Sequence, residues 1–350
     1  MRRTRRRTDD RLVSAARDAQ IQTVTGPLAV GELGATLMHE HLTSLVAGRW
    51  TSGGTADDAV TIAERALACL SSVGVRSVVD LTPIDAGPGQ RRDVTALREI
   101  AARTGLHVIA SSAFYKEPLL PEWVRAAALD ELEEFHTREA TIGVGSTGVK
   151  VGVFGEVGTS LRQITPCEEK CLRAVARAHR ATSLPISTHC TLGTMAVEQI
   201  AILQEEKVDC SRVVIGHLDL AAEGPYLEAV LAAGVTAGFD TFGKELFDYV
   251  VPNSPHLGEG VQVKWTFRRP DEARLDAIAW LVARGYEGQI VLSLDLTGHV
   301  TFQNRGGIGQ FGYAYLHSRV IPGLLERGVG ASTIERMLVD NPARLLCGLS

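Results

Sequence analysis

Two histidines, His39 and His41, stand two positions apart at the end of the apolar run Ala35–Leu42. In a β-strand, residues i and i+2 project from the same face, so both imidazoles would face one side and Glu40 the other. Two histidines on one face form half of a binding site for a divalent metal ion. Because a single His-x-His is more often polar surface than a ligand pair, this hypothesis depends on further ligands elsewhere in the chain.

Further candidate ligands end other Val/Ile-rich runs of the sequence. They are Glu156 in Val149–Gly158, His189 in Leu184–Cys190, His217 in Ser211–Asp219 and Asp295 in Gly288–Leu296. Each has another interpretation by itself, such as a hydrogen-bonded core histidine or a helix-capping aspartate. Four histidines and two carboxylates at matching positions on five runs are hard to obtain by chance, and they favour one shared metal site.

Short apolar runs alternate with longer helical patterns, which is the order of a repeated βα unit. The eight predicted strands are Ala35–Leu42, Arg76–Thr82, His107–Tyr115, Val149–Gly158, Leu184–Cys190, Ser211–Asp219, Val235–Gly243 and Gly288–Leu296. The predicted helices between them are Ala56–Ser72, Arg92–Thr104, Glu122–Glu139, Thr165–Ser183, Thr194–Glu206, Pro225–Ala233 and Asp271–Arg284. Eight regular units favour a single α/β domain, a (β/α)8 TIM barrel, over a doubly wound sheet. The active site is then expected at the C-terminal ends of the strands.

Composition narrows the class of protein. The chain has 350 residues, of which 45% are hydrophobic and 22% charged, which is ordinary for a globular protein. A net charge of -5 argues against nucleic acid as a partner. No apolar run approaches the ~18–20 residues that span a bilayer. Six cysteines without a secretory segment indicate reduced thiols and a cytoplasmic protein.

The chain is predicted to have two parts. The basic residues 1–20 are predicted to form a disordered tail, and residues 21–350 are predicted to form the metal-dependent hydrolase barrel.

The motifs MHEHL, GEVG, ISTH, IGHLD and LSLD together resemble those of the phosphotriesterase family of the amidohydrolase superfamily. The likeness runs from about Gln22 to Leu346, nearly the whole chain. It implies a barrel that holds two divalent metal ions, with zinc expected and manganese or cobalt as alternatives. By position, the implied ligands are His39, His41 and Asp295 for the more buried metal, and His189 and His217 for the more exposed one.

The sequence departs from the best-known members of that family at the residue that bridges the two metals. Those members use a carbamylated lysine after strand four, whereas the matching stretch VGVFGEVG has no lysine at its end. Lys150 lies six positions before Glu156, roughly 20 Å along an extended strand, and is expected at the other end of the barrel. Glu156 is therefore the predicted bridge. This resembles the phosphotriesterase-related, or homology-protein, branch, in which a glutamate bridges.

The expected chemistry is hydrolysis by a metal-bridging hydroxide, because two divalent cations lower the pKa of a shared water towards neutrality. Asp295 would accept the proton, and the exposed metal would polarise a carbonyl or phosphoryl oxygen. Tyr115, at the end of strand three, either hydrogen-bonds the substrate or only packs. Lys244, after strand seven, either pairs with an anionic substrate group or is a solvated loop residue.

An ester, lactone or phosphoester-type small molecule is the expected substrate. Phosphotriesterases proper carry a histidine where this chain has Thr241, which argues against efficient organophosphate hydrolysis as the native activity. The segment FGKELF also resembles vertebrate-type phosphotriesterase-related proteins, which hydrolyse an N-acylated amino-sulfonate, so an amidase for small N-acyl amino compounds is the alternative. A barrel that binds ligands at its metals without turnover is the alternative of another class. The irregular loops Phe242–Arg269 and Thr297–Tyr313 are expected at the pocket rim, and a homodimer is possible.

Overall fold

In the computed structural model, the described residues are 19–44, 59–87, 91–221, 223–244, 246–251, 262–267, 269–296 and 311–347. An antiparallel hairpin of β1 (Gln20–Thr23) and β2 (Gly26–Ala29) precedes the repeated units. The eight strands of the repeated units are β3 (Ala35–Glu40), β4 (Val75–Asp80), β5 (His107–Ala110), β6 (Phe154–Thr159), β7 (Ile186–Cys190), β8 (Val213–Gly216), β9 (Thr236–Phe239) and β12 (Ile290–Leu292). A second antiparallel hairpin, of β10 (Leu246–Val251) and β11 (Gln262–Phe267), separates β9 from β12.

The eight strands form a closed parallel barrel. Strands β3, β4 and β5 pair in parallel, as do β6, β7, β8, β9 and β12 in that order. Between β5 and β6, Ser112 N donates to Val153 O at 3.0 Å. Between β12 and β3, Asp295 N donates to His39 O at 3.0 Å and His41 N to Leu296 O at 2.9 Å. The predicted TIM barrel is therefore confirmed, and the ring closes beside the first pair of candidate ligands.

Helices surround the barrel. They are α1 (Ala59–Leu67), α2 (Val94–Thr104), α3 (Glu122–Ala126), α4 (Leu129–Thr141), α5 (Pro166–Thr182), α6 (Ala196–Glu205), α7 (Gly224–Leu231), α8 (Asp271–Val282), α9 (Ile321–Glu326), α10 (Ala331–Glu335) and α11 (Asn341–Cys347). A capping box begins α5, since Thr165 Oγ1 accepts from Glu168 N and Glu168 Oε2 accepts from Thr165 N. No helix among the described residues has the length and apolar character needed to cross a membrane.

Alternation along each strand produces two separate apolar layers. Val78 of β4 and Ile215 of β8 point outward into the layer beneath the helices. Their neighbours Val79 and Val214 point into the barrel and pack with Ile21 of the first hairpin. The inner layer fills the barrel up to the level of the site, and the candidate ligands meet above it at the C-terminal ends of the strands.

Several predicted boundaries differ from the structure. The predicted helix Glu122–Glu139 is two helices, α3 and α4, with Ala127 extended between them. The predicted irregular loop Phe242–Arg269 contains the hairpin β10–β11, and a two-strand ribbon inside a long connection has no helical or barrel periodicity to reveal it. The loop Thr297–Tyr313 lies outside the described residues up to 310, as do residues 1–18 of the basic tail.

Candidate metal centre

Glu156, in the middle of β6, lies at the centre of the candidate site. Its Oε1 is 3.4 Å from His41 Nε2, and its Oε2 is 2.9 Å from His189 Nδ1, 3.4 Å from His39 Nε2 and 3.6 Å from His217 Nε2. The two oxygens of this buried carboxylate thus face histidines from opposite sides of the barrel. That arrangement suits a carboxylate shared between two cations.

Asp295 completes the part of the site next to the barrel closure. Its Oδ1 lies 2.9 Å from His41 Nε2 and 3.9 Å from His39 Nε2. Candidate ligand atoms of His39, His41 and Asp295 all lie within 4.8 Å of one another, and the same holds for His39, Glu156 and His217. All six predicted ligands therefore meet at one end of the barrel, and His39 is shared by both groups.

Asp240, just after β9, orients two of these histidines. Its Oδ2 accepts a hydrogen bond from His39 Nδ1 at 3.0 Å, and its Oδ1 accepts one from His217 Nδ1 at 2.8 Å. Both rings consequently direct Nε2 towards Glu156. A carboxylate that accepts a hydrogen bond from the other ring nitrogen commonly orients metal-binding histidines in this way. Asp240 is not among the site residues predicted from the sequence. A carboxylate ending the seventh strand, level with the other candidates, was the available signal.

His189 is oriented by a different partner. Thr191 Oγ1 donates to Thr159 O at 2.7 Å, so it accepts from His189 Nε2 at 3.2 Å. The lone pair of His189 is then on Nδ1, 2.8 Å from His217 Nε2. Two imidazole lone pairs so close repel each other unless a proton or a cation lies between or beside them.

The donor set fits divalent transition metals. His39 Nε2 is buried and makes no well-formed hydrogen bond among the described residues, although it lies 3.4 Å from Glu156 Oε2 and its Nδ1 is bonded to Asp240. A buried nitrogen without a partner is costly in a protein unless something else binds it. Imidazole nitrogens with carboxylate oxygens are the ligands that zinc, manganese and cobalt accept.

The charges of the site change the affinity of its groups for protons. Burial lowers the pKa of His217, but Asp240 outweighs it and raises that pKa to about 9. Asp240 likewise raises the pKa of His39 well above its usual value, against burial. Burial would raise the pKa of Glu156, yet His189 and His41 hold it well below its usual range. Without metal, protons on the histidines therefore balance the buried carboxylates.

Lys244 is a buried residue of the site, which excludes the solvated-loop interpretation. Its Nζ forms an ion pair with Asp295 Oδ2. Burial would raise the pKa of Asp295, but nearby positive charges, of which Lys244 has the largest effect, hold the pKa of Asp295 well below its usual value. The ammonium thus stands beside the carboxylate that is predicted to accept a proton.

Tyr115 also borders the site. Its hydroxyl lies 3.3 Å from His189 Nε2, and the two rings meet edge to face with centroids 4.7 Å apart.

Lys150 lies away from the site: Gly152, two residues on, packs against the Gln22 carbonyl of β1 beneath the barrel. Glu40, turned away from the metal ligands, accepts from Ser293 Oγ at 2.7 Å and Leu296 N at 2.7 Å, and so joins β3 to the segment after β12.

Known proteins resemble the whole described chain. The model of the phosphotriesterase family matches residues 19–346. The phosphotriesterase homology protein of Escherichia coli (strain K12) is 32% identical over 311 residues, covering 89% of this chain and 97% of the relative. The N-acetyltaurine hydrolase of Tetraodon nigroviridis is 29% identical over 360 residues, covering 93% and 97%. A solved lactonase template engineered for organophosphate hydrolysis superposes with a TM-score of 0.79 at 28% identity, covering 93% and 99%.

Proposed function

This chain belongs to the phosphotriesterase family and is a metal-dependent hydrolase. We propose that it cleaves an ester, lactone or phosphoester-type substrate, and that the attacking group would be a hydroxide shared by two divalent cations. The observation that carries the proposal is Glu156, with one oxygen near His41 and the other near His189 and His217. A single carboxylate between two histidine groups is suited to bridging a pair of cations.

Two groups of residues would hold the metals. His39, His41 and Asp295 would hold one, His189 and His217 the other, and Glu156 would give one oxygen to each. Zinc is the proposed metal because it accepts mixed nitrogen and oxygen ligands without a strong geometric demand; manganese and cobalt are the alternatives. When bound, the cations would supply hydroxide near neutral pH and polarise the oxygen of the scissile bond.

The chain's own side chains would then handle the proton and the substrate. Asp295 would accept the proton as the new bond forms and pass it towards the leaving group. Lys244 would hold that carboxylate in place and attract an anionic group of the substrate. The hydroxyl of Tyr115, beside His189, would donate a hydrogen bond to the substrate oxygen. The buried side chains around Glu156 would keep bulk water away from the charges of Glu156, Asp295 and Lys244.

An amide is the second candidate for the scissile bond. The relative from Tetraodon nigroviridis is an N-acetyltaurine hydrolase, whose substrate combines an N-acyl bond with a sulfonate. A buried Lys244 in the site favours such an anionic compound. The lactonase template favours a lactone. Both bonds contain a carbonyl carbon that water activated at this site would attack, so the proposed roles of Asp295 and Lys244 are common to the two candidates.

The test is hydrolysis with a controlled metal content. Purified protein would be stripped with a chelator, reloaded with zinc, manganese or cobalt, and tested on lactones, aryl esters, N-acyl amino acids, N-acetyltaurine and a paraoxon-like triester. We expect about two metal ions per chain, loss of turnover on stripping and recovery on reloading.

Glu156→Ala should abolish turnover and reduce metal content. The control is Glu198→Ala, which removes a carboxylate on α6 and should change neither. Full activity of Glu156→Ala, or of metal-free protein, would refute the proposal. Tight binding without turnover would favour the non-catalytic barrel.

Three further proposals concern the location, the oligomeric state and the domain organisation of the protein. We propose a cytoplasmic location, a homodimer, and a single barrel domain over residues 21–350 preceded by a basic tail. Light scattering after size exclusion would measure the oligomeric state. Deletion of residues 1–20 should leave the thermal midpoint and turnover unchanged if the tail is separate from the barrel.

A further inference from the structure

Arg274, in the first turns of α8, is a fully buried guanidinium between two carboxylates. Its Nε lies 3.2 Å from Asp219 Oδ2, and its Nη1 is paired with Asp271 Oδ1. The exposed fraction of its side chain is 0%. Burying three charges carries a large desolvation cost, and apolar residues of similar volume are often equally stabilising. Such a triad is therefore better explained by what it orients than by stability.

Both carboxylates hold the same short turn, Thr241–Lys244, which follows β9. Asp219 Oδ2 accepts from the backbone N of Thr241 at 2.9 Å and from its Oγ1 at 2.7 Å. Asp271 Oδ2 accepts from the backbone N of Gly243 at 2.9 Å. Arg274 pairs with the Asp219 oxygen that receives these hydrogen bonds and with the other oxygen of the Asp271 carboxylate, so the guanidinium acts on the turn through both side chains.

Two more contacts close the arrangement around Gly243. This residue has a φ of +80°, and a Cβ on it would lie 3.4 Å from the Tyr315 ring. The Tyr315 hydroxyl donates to Asp271 Oδ2 at 2.7 Å. Inside the turn, Lys244 N donates to Thr241 O at 3.1 Å, and Lys244 leaves the turn towards Asp295. The position of the Lys244 side chain is thus set by a turn with three anchored residues.

We propose that Arg274 is a positioning residue that holds Lys244 at Asp295, through Asp219 and Asp271 and the turn between them, and thereby sets the preference for substrates with an anionic group. The preference rests on the function proposed above, whereas the positioning of Lys244 does not. Arg274 also contacts the turn directly, because its Nη2 donates to Lys244 O at 3.5 Å. Asp219 lies two residues beyond His217, so the same triad also ties the turn to the β8 loop.

The first experiment measures the position of Lys244 without using activity. Metal-free wild type and Arg274→Lys would be acetylated with an amine-reactive ester, and labelling of Lys244 followed by peptide mass spectrometry relative to the exposed Lys207. A lysine at 274 keeps the charge but cannot span both carboxylates. We expect Lys244 labelling to rise roughly tenfold, because its turn opens more often.

The matched control is Arg92→Lys, which alters another buried arginine. Arg92 makes a bidentate pair with Glu139, and its Nη1 also donates to Ser111 O after β5, so its hydrogen bonds within the described part of the chain do not include the turn. A general loosening of the fold would raise Lys244 labelling in both variants, and that result would overturn the proposal. If Arg274→Lys fails to fold by circular dichroism, Tyr315→Phe removes one hydrogen bond to Asp271. It should raise Lys244 labelling in the same direction by a smaller factor, and no rise would overturn the proposal.

The second experiment separates binding of an anion from the chemical step. KM and kcat would be measured for an N-acetyl amino-sulfonate and for an uncharged ester. In Arg274→Lys we expect KM for the anionic substrate to rise roughly tenfold more than KM for the uncharged substrate, whereas any loss of kcat through Asp295 should be similar for the two substrates. Lys244→Met should show the same selective rise in KM, and the double variant should be no worse than either single one. Equal losses on both substrates would overturn the claim about preference. Wild type without any turnover would refute the proposed function instead, and the labelling alone would then decide the positioning.

Discussion

Asp240 contacts His217 twice: its Oδ1 accepts a hydrogen bond from the ring Nδ1 at 2.8 Å and another from the backbone N at 3.0 Å. The other oxygen of the same carboxylate accepts from His39 Nδ1. One side chain therefore fixes the ring orientation of histidines on β3 and β8. Because Nδ1 of each ring is the donor, Nε2 of each is directed into the site.

Removing the charge of Asp240 should weaken metal binding before it affects folding. In Asp240→Asn the amide cannot accept two hydrogen bonds from imidazoles as strongly as a carboxylate does. We expect metal affinity to fall roughly 10–100-fold, the usual effect of removing such an orienting carboxylate. Competition with a chromophoric chelator would measure it. Asp276→Asn, on the outer face of α8, is the control, and equal affinities in the two variants would show that Asp240 does not orient the ligands.

Metal uptake should release protons and strengthen as the pH rises. The pKa of His217 is raised to about 9, so below that pH the metal-free ring carries a proton that a cation must displace. Apparent affinity should increase by roughly tenfold per pH unit for each displaced proton between pH 6 and 9. Calorimetry in buffers with different ionisation enthalpies counts the protons. In Asp240→Asn the count near pH 8 should fall, and pH-independent uptake would contradict the assignment.

His136 should make the protein less stable in acid. This residue is buried in the layer behind β5, its Nδ1 lies 2.8 Å from Ser112 Oγ, and burial lowers its pKa to about 4. The unfolded chain binds a proton near pH 6.5 but the folded chain does not until about pH 4. The free energy of unfolding should therefore fall between pH 6.5 and 4, by about 3 kcal/mol from this group.

The measurement for His136 is denaturant unfolding of metal-free protein across that pH range. His136→Asn keeps a polar group near Ser112 but removes the titration, so its unfolding free energy should depend less on pH over the same interval. The comparison uses the slope with pH, because the substitution also lowers stability by a constant amount. Parallel curves for the two proteins would contradict the prediction.

Gly216, the last residue of β8, should not tolerate a side chain. A Cβ there would overlap the Thr188 carbonyl oxygen of β7, and both strands carry histidines of the site immediately afterwards. Gly216→Ala should cost about 1–3 kcal/mol of stability and lower metal content, because the strands must separate. Gly31→Ala is the control, since its Cβ meets nothing within 4 Å. Unchanged melting and metal content would show that the strands yield easily.

Much of the architecture could be predicted from local sequence. The alternation of Val/Ile-rich runs with helical patterns gives eight βα units, and the capping box at Thr165 gives a helix start. The candidate ligands were found for the same reason: a residue that ends a strand of a parallel barrel must lie at one common end. The hairpin β10–β11 was not predicted, because it lies in a connection between units and belongs to neither pattern.

The sequence by itself determined which residues reach the C-terminal end of the barrel, because strand alternation and strand order depend on neighbours in the chain. Only the tertiary structure decided how they pair there. Asp240 meets His39 across 201 positions, Glu40 meets Leu294 across 254, and Lys244 meets Asp295 across 51. Such partners become neighbours only when the sheet closes, and the closure sets the strand register and ring orientation accurately enough for hydrogen bonds to form. A pattern of neighbouring residues does not indicate which residues far apart in the chain will come that close.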